Sequence, residues 1–129
     1  MTVEDFCSNI ETRMRGGFNS VVVLKVIESY KVPIHGYLIT KTLDKLTDGV
    51  LYIQAGTLYP LLKKLEDDGL VTHEMVDSKK GPKRKIYRMT PDGRKALNRA
   101  LIEIDDVFNA ISVVRKIDWT KVHEEQKAK

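Results

Sequence analysis

The sequence predicts a mainly α, α+β fold in which short helices lead into a two-stranded hairpin and a long helix closes the chain. Three observations carry this. Apolar residues recur at steps of three and four along most of the 129 residues, the spacing that lines one face of a helix. Residues 70–90 break that rhythm and place strand formers on either side of Gly81-Pro82, as a hairpin would. Thr90-Pro91-Asp92 then restarts a helix with an N-cap, a first-position proline and an acidic residue at the positive helix end.

Val3, Phe6, Ile10 and Met14 form one apolar stripe, which Gly16-Gly17 is expected to end. Phe18 to Tyr30 is apolar nearly all round, the mark of a buried central helix. Pro33 interrupts, and a third helix is expected from His35 to Leu46, with Leu38, Ile39, Leu43 and Leu46 inward. Asp48-Gly49 is a turn signal, and Val50 to Ile53 could be extended. In the next helix Leu58, Leu61, Leu62 and Leu65 face inward, leaving Gln54, Thr57, Tyr59, Lys63 and Lys64 outside. Pro60 is comfortable only in a first turn, which favours Thr57 as N-cap; a start near Ala55 would demand a kink. Strands follow over 70–77 and 85–90. The last helix runs to about Lys116, where Leu97, Leu101, Ile104, Phe108 and Ile111 make a heptad-like seam.

Helices followed by a two-stranded β wing give the winged helix-turn-helix plan, in which the helix just before the wing, here that of Leu58 to Leu65, enters the DNA major groove. Charge agrees with that plan. Residues 57–99 carry eleven basic and six acidic side chains, while residues 1–56 are balanced at six of each. Six of the ten residues from Lys79 to Arg88 are basic, namely Lys79, Lys80, Lys83, Arg84, Lys85 and Arg88. Such a run displaces condensed counterions from DNA without reading sequence. The chain therefore divides into an N-terminal helix over 1–16, a DNA-binding unit over 17–90, a C-terminal dimerisation helix over 91–117 and a polar, fraying tail over 118–129. The two apolar stripes, with Val3, Phe6 and Ile10 on one and Leu97, Leu101, Ile104, Phe108 and Ile111 on the other, are the expected homodimer interface.

Other classes fit less well. His35, His73 and His123 lie in different elements, with no cysteine at zinc-site spacing and no phosphate loop or nucleophile motif. No catalysis, metal or cofactor is expected, and His35 reads as a helix cap. A winged helix used only for protein contact would turn apolar residues outward where Lys63, Lys64 and the wing cations stand. Cys7 is the single cysteine, so no intramolecular disulfide forms; it sits at an apolar position suited to packing, and a reducing cytoplasm is the expected compartment. No apolar run reaches the ~18 residues that a membrane span needs, so no membrane is expected as partner.

His35-Gly36-Tyr37, Gly56-Thr57-Leu58-Tyr59-Pro60, Leu65-Glu66 with Gly69-Leu70, Gly81-Pro82-Lys83-Arg84-Lys85, and Thr90 with Gly93-Arg94 together resemble the PadR family of transcriptional regulators. The resemblance covers about Gly17 to Phe108. It implies a homodimeric repressor on double-stranded DNA, regulated in some members by a small-molecule effector whose identity here is open. By position it would put Tyr37, Thr57, Tyr59, Lys63, Lys64, Lys83, Arg84 and Lys85 near DNA, with Gly56 letting the backbone come close. Gln54 stands where the family often has serine, which bears on where the recognition helix starts and on its base contacts. Ile104 stands where it often has a tryptophan that stacks on planar drugs; Ile104 cannot stack, and Trp119 is fifteen residues further on.

Overall fold

The computed structural model describes residues 1–128, and the chain divides into two compact units, residues 1–98 and residues from 99 onward. The first unit opens with α1 (Val3–Ser29). Thr2 and Asp5 form a capping box, Asp5 N donating to Thr2 Oγ1 at 3.0 Å and Thr2 N to Asp5 Oδ2 at 3.1 Å. Those bonds, first from the Thr2 backbone and then from its side chain, hold the Asp5 carboxyl below its ordinary pKa. The expected break at Gly16-Gly17 does not occur. Neither glycine takes a positive φ, and no proline follows to stop the chain. Two glycines cost about 1 kcal/mol each against alanine, which the capped start and the buried Val23, Leu24, Val26 and Ile27 outweigh.

After Pro33 comes a strand the periodicity could not show, β1 (Ile34–His35), too short to alternate. α2 (Gly36–Thr47) begins at His35, whose Nδ1 accepts from Leu38 N at 3.4 Å, so the capping role expected of His35 is present. It ends at Asp48, left-handed at φ 50, with Gly49 at φ 82 continuing the turn. Leu46, expected inward, is 75% exposed because the last turn of α2 runs past the core. Val50 to Ile53 forms no strand; only Ile53 is buried there.

α3 (Ala55–Asp67) starts two residues before the expected Thr57 cap. Pro60 lies inside it, and Gln54 at its N-cap makes no side-chain capping bond. β2 (Val71–Val76) and β3 (Arg84–Met89) form the expected antiparallel hairpin, with Val71 opposite Met89 and Val76 opposite Arg84. β1 adds to the other edge of β3, pairing Ile34 with Tyr87, so the sheet order is β1-β3-β2. Ile39, Leu58, Leu62, Leu97, Val23 and Val71 are the largest fully buried side chains.

α4 (Pro91–Arg115) starts as the sequence predicts, with Thr90 Oγ1 accepting from Gly93 N at 3.0 Å. Gly93 is buried, and a Cβ there would overlap the Leu70 carbonyl oxygen. In the second unit the tail departs from expectation and forms α5 (Trp119–Ala128), where Asp118 Oδ1 accepts from Thr120 N at 2.9 Å. A polar helix of this kind has no apolar stripe for the sequence to display. No helix among the described residues is long and apolar enough to cross a membrane.

Candidate nucleic-acid interface

Helix α3 separates its residues cleanly. Leu58, Leu62 and Leu65 are buried, while Gln54, Gly56, Thr57, Tyr59, Lys63 and Lys64 are exposed. The exposed cations are not idle. Lys63 reaches Asp67 at 3.5 Å and Lys64 reaches Asp68 at 3.3 Å, both across one helical turn and both in solvent. Pairs of this kind are worth ~0–1 kcal/mol, so a phosphate can replace the carboxylate at small cost.

The wing is the β2–β3 hairpin. Its turn places Gly81 at φ 106, a conformation that favours glycine, and Ser78 Oγ donates to Lys80 O at 2.9 Å. Lys79, Lys80, Lys83, Arg84 and Lys85 are all exposed. Lys83 faces Asp77 at 4.0 Å and Arg88 faces Glu74 at 3.3 Å, each pair in solvent. Among the described residues Lys79, Lys80, Arg84 and Lys85 have no carboxylate within ion-pair distance.

The two elements meet in a cleft of about 560 Å³, lined by His35, Gly36, Tyr37, Tyr59, Lys83, Arg84 and Lys85. Five of the residues expected near DNA therefore come together: two phenols and three cations. Gly36 is the reason they can. A Cβ on it would lie 2.9 Å from Tyr59 Cε1, so the bare backbone at the start of α2 lets the Tyr59 ring settle against it. Tyr37 is steadied by Lys41, whose Nζ stands 5.6 Å from the ring centroid. His35 and Gly36 line this cleft without having been expected as DNA-facing residues, although their motif was visible. Gln54 and Thr57 instead line a second cleft, between α1 and the start of α3. Lys79 and Lys80 sit out on the wing turn and line neither.

Beneath the interface, Glu66 at the end of α3 bonds His73 of β2 through Oε1 and Nδ1, joining helix to wing. The neighbouring Tyr87 hydroxyl has a raised pKa, chiefly from burial and then from Glu66 and Tyr59. It remains a neutral phenol at ordinary pH.

The expected dimer residues divide. Val3, Phe6, Ile10 and Met14 are exposed along α1, and Phe108 and Ile111 are exposed along α4, with Leu101 and Ile104 half-buried. Leu97 differs: it is fully buried among the first unit's own side chains and has no surface to give a partner. The heptad spacing counted it with the seam because the stripe is continuous, yet the first turns of α4 pack into the core of the first unit. Cys7, expected to pack, is exposed.

Residues 23–99, more than half of the chain, match the transcriptional regulator PadR-like family. The matched span runs from the buried part of α1 through the wing into α4. The transcriptional regulator Rv3488 of Mycobacterium tuberculosis is 42% identical over 76 residues, 55% of this chain and 65% of that protein, so the chain spans slightly under two thirds of that relative's length. A PadR family transcriptional regulator from Eggerthella lenta superposes with a TM-score of 0.72 at 26% identity, over 89% of this chain and 96% of that one. Bacillus subtilis PadR, solved in complex with operator DNA, superposes with a TM-score of 0.58 at 26% identity, over 64% of this chain and 46% of that one. The fold, the motif residues that build the cleft and the match across them agree: this chain belongs to the PadR-like family of transcriptional regulators.

Proposed function

We propose that the protein is a homodimeric repressor in the cytoplasm that binds a two-fold operator in double-stranded DNA. The observation that carries the reading is the cleft where Tyr37 and Tyr59 meet Lys83, Arg84 and Lys85 beside the exposed face of α3. The cations and phenolic hydroxyls suit phosphate oxygens, which fix orientation on the duplex. Gln54, Thr57, Lys63 and Lys64 on α3 are the candidates for the groove, Gln54 and Lys being side chains that read base edges. Gly56 offers no side chain where the backbone would approach, and Lys79 and Lys80 extend the electrostatic footprint along the wing. That Bacillus subtilis PadR was solved with operator DNA supports the same use of the shared fold here.

The dimer reading rests on the exposed stripe of Val3, Phe6 and Ile10 and on Leu101, Ile104, Phe108 and Ile111 of α4. Two copies would match the symmetry of an operator with half-sites about one helical turn apart. No effector is assigned; Ile104 offers no flat aromatic face for a planar drug.

The test is binding to the DNA upstream of the protein's own gene, by fluorescence anisotropy across a salt series, against a scrambled duplex. Preferential binding with a steep salt slope and two subunits per site is expected. Equal affinity for both duplexes removes that sequence as the operator, and no binding at low salt overturns the DNA reading. Sedimentation at micromolar concentration checks the dimer separately, and a monomer there overturns it.

A further inference from the structure

The start of α3 is poorly held by its own residues. Gln54 provides no side-chain cap, and Pro60 has no N–H to give the Gly56 carbonyl. The segment leading into it, Asp48 to Gln54, buries only Ile53. Across the cleft of about 550 Å³ beside it, Arg15 and Asn19 of α1 face Tyr52, Gln54 and Thr57. There Arg15 Nη1 donates to the Val50 carbonyl oxygen at 2.6 Å, a tie between residues 35 apart in sequence. The same guanidinium also donates from Nε to Glu11 Oε1 at 3.0 Å, one helical turn back on α1 and in solvent. Val50 in turn donates to Thr47 O at 3.1 Å, and Leu51 N to Thr47 Oγ1 at 3.0 Å, so the tie reaches a turn that is itself hydrogen-bonded to the end of α2.

We infer that Arg15 is a positioning residue for DNA reading: held by Glu11, it fixes the Val50–Gln54 segment and through it the placement of the first turn of α3. The inference rests on the DNA reading above for its consequence, while the positioning itself can be measured on the free protein. The forked guanidinium matters as much as the charge. A lysine cannot hold Glu11 and Val50 together in one planar group.

Two measurements on the full-length protein decide it. The first needs no DNA: amide hydrogen exchange in the wild type and Arg15→Ala. Exchange at Leu51, Thr57 and Leu58 is expected to speed up by about five-fold or more, with the β2–β3 amides unchanged. Unchanged protection at those three amides overturns the positioning, whatever the protein binds. The second compares a duplex enriched from a random pool by the wild type with its scrambled counterpart, over a salt series. Arg15→Ala is expected to lose about ten-fold on the enriched duplex and under about two-fold on the scrambled one, with the salt slope kept. Arg15→Lys should show most of that loss despite its charge. Glu11→Ala should also weaken enriched-duplex binding, although removing a negative charge would by itself strengthen attraction to phosphate. Wild-type behaviour of Arg15→Lys, with equal losses on both duplexes and a slope lower by about one for Arg15→Ala, makes Arg15 a phosphate ligand and overturns the inference.

Discussion

α4 begins with a side-chain cap, whereas α3 begins without one. Thr90 Oγ1 accepts from Gly93 N at 3.0 Å and donates to Gly69 O at 2.7 Å, so one hydroxyl both caps α4 and fastens it to the turn after α3. Pro91 takes the first helical position, where its missing N–H costs nothing. α3 has an uncapped Gln54 and an interior proline, and it leans on Arg15, Ile53 and the Tyr59–Gly36 contact from outside. The helix that closes the core carries its own cap. The helix that would face DNA is specified by its neighbours, which frees its exposed positions for side chains chosen for recognition.

The largest effect that tests this contrast is expected at Gly93. Alanine there puts a Cβ into the Leu70 carbonyl, a backbone atom that cannot swing aside. The cost should be about 3 kcal/mol, at the upper end for overpacking, read as a lower urea midpoint with an unchanged m-value. Gly36→Ala is the partner experiment. Its Cβ would press on the half-exposed Tyr59 ring, which can move. Stability should fall by under about 1 kcal/mol, while DNA affinity drops because Tyr59 leaves the cleft. Equal stability losses at the two glycines would erase the distinction between a core-closing and a surface-forming contact.

The wing gives the next largest effect. Replacing Lys83, Arg84 and Lys85 together with alanine should reduce the salt slope of DNA binding by about 2.7, three phosphates at ~0.9 each. The loss should be similar on specific and scrambled duplexes, since phosphate contacts orient rather than read. Unaltered binding would show that the cleft is not where the backbone lies.

The same contrast explains what the sequence could and could not disclose. The hairpin, the wing cations, His35 as a cap and the start of α4 are local signals, and each was legible. So were the cleft's Tyr37, Tyr59, Lys83, Arg84 and Lys85, because their motifs are short and dense. What stayed hidden depends on distant partners. Gly16-Gly17 looks like a helix end unless the capped start before it and the buried run after it are weighed together. β1 exists only because β3 is there to pair with it. Leu97 belongs to the periodic seam in sequence and to the core in space. Arg15 carries no sequence signal at all; its role comes from a carbonyl 35 residues away.

The smallest predicted effects are the most telling, because they compare the two caps directly. Thr90→Ala removes a capping hydroxyl and leaves the Gly93 N–H and Gly69 carbonyl short of a partner, which should cost about 1–2 kcal/mol. Gln54→Ala removes nothing that caps α3 and should be neutral within about 0.3 kcal/mol. Gln54→Ser supplies an oxygen that can accept from the first-turn amides and should stabilise by about 0.5 kcal/mol. That gain would be smaller than the loss at Thr90 because Arg15 and Ile53 already restrain the segment. If Gln54→Ser stabilised as much as Thr90→Ala destabilises, the start of α3 would be loose rather than held from outside, and the tie from α1 would have little left to position.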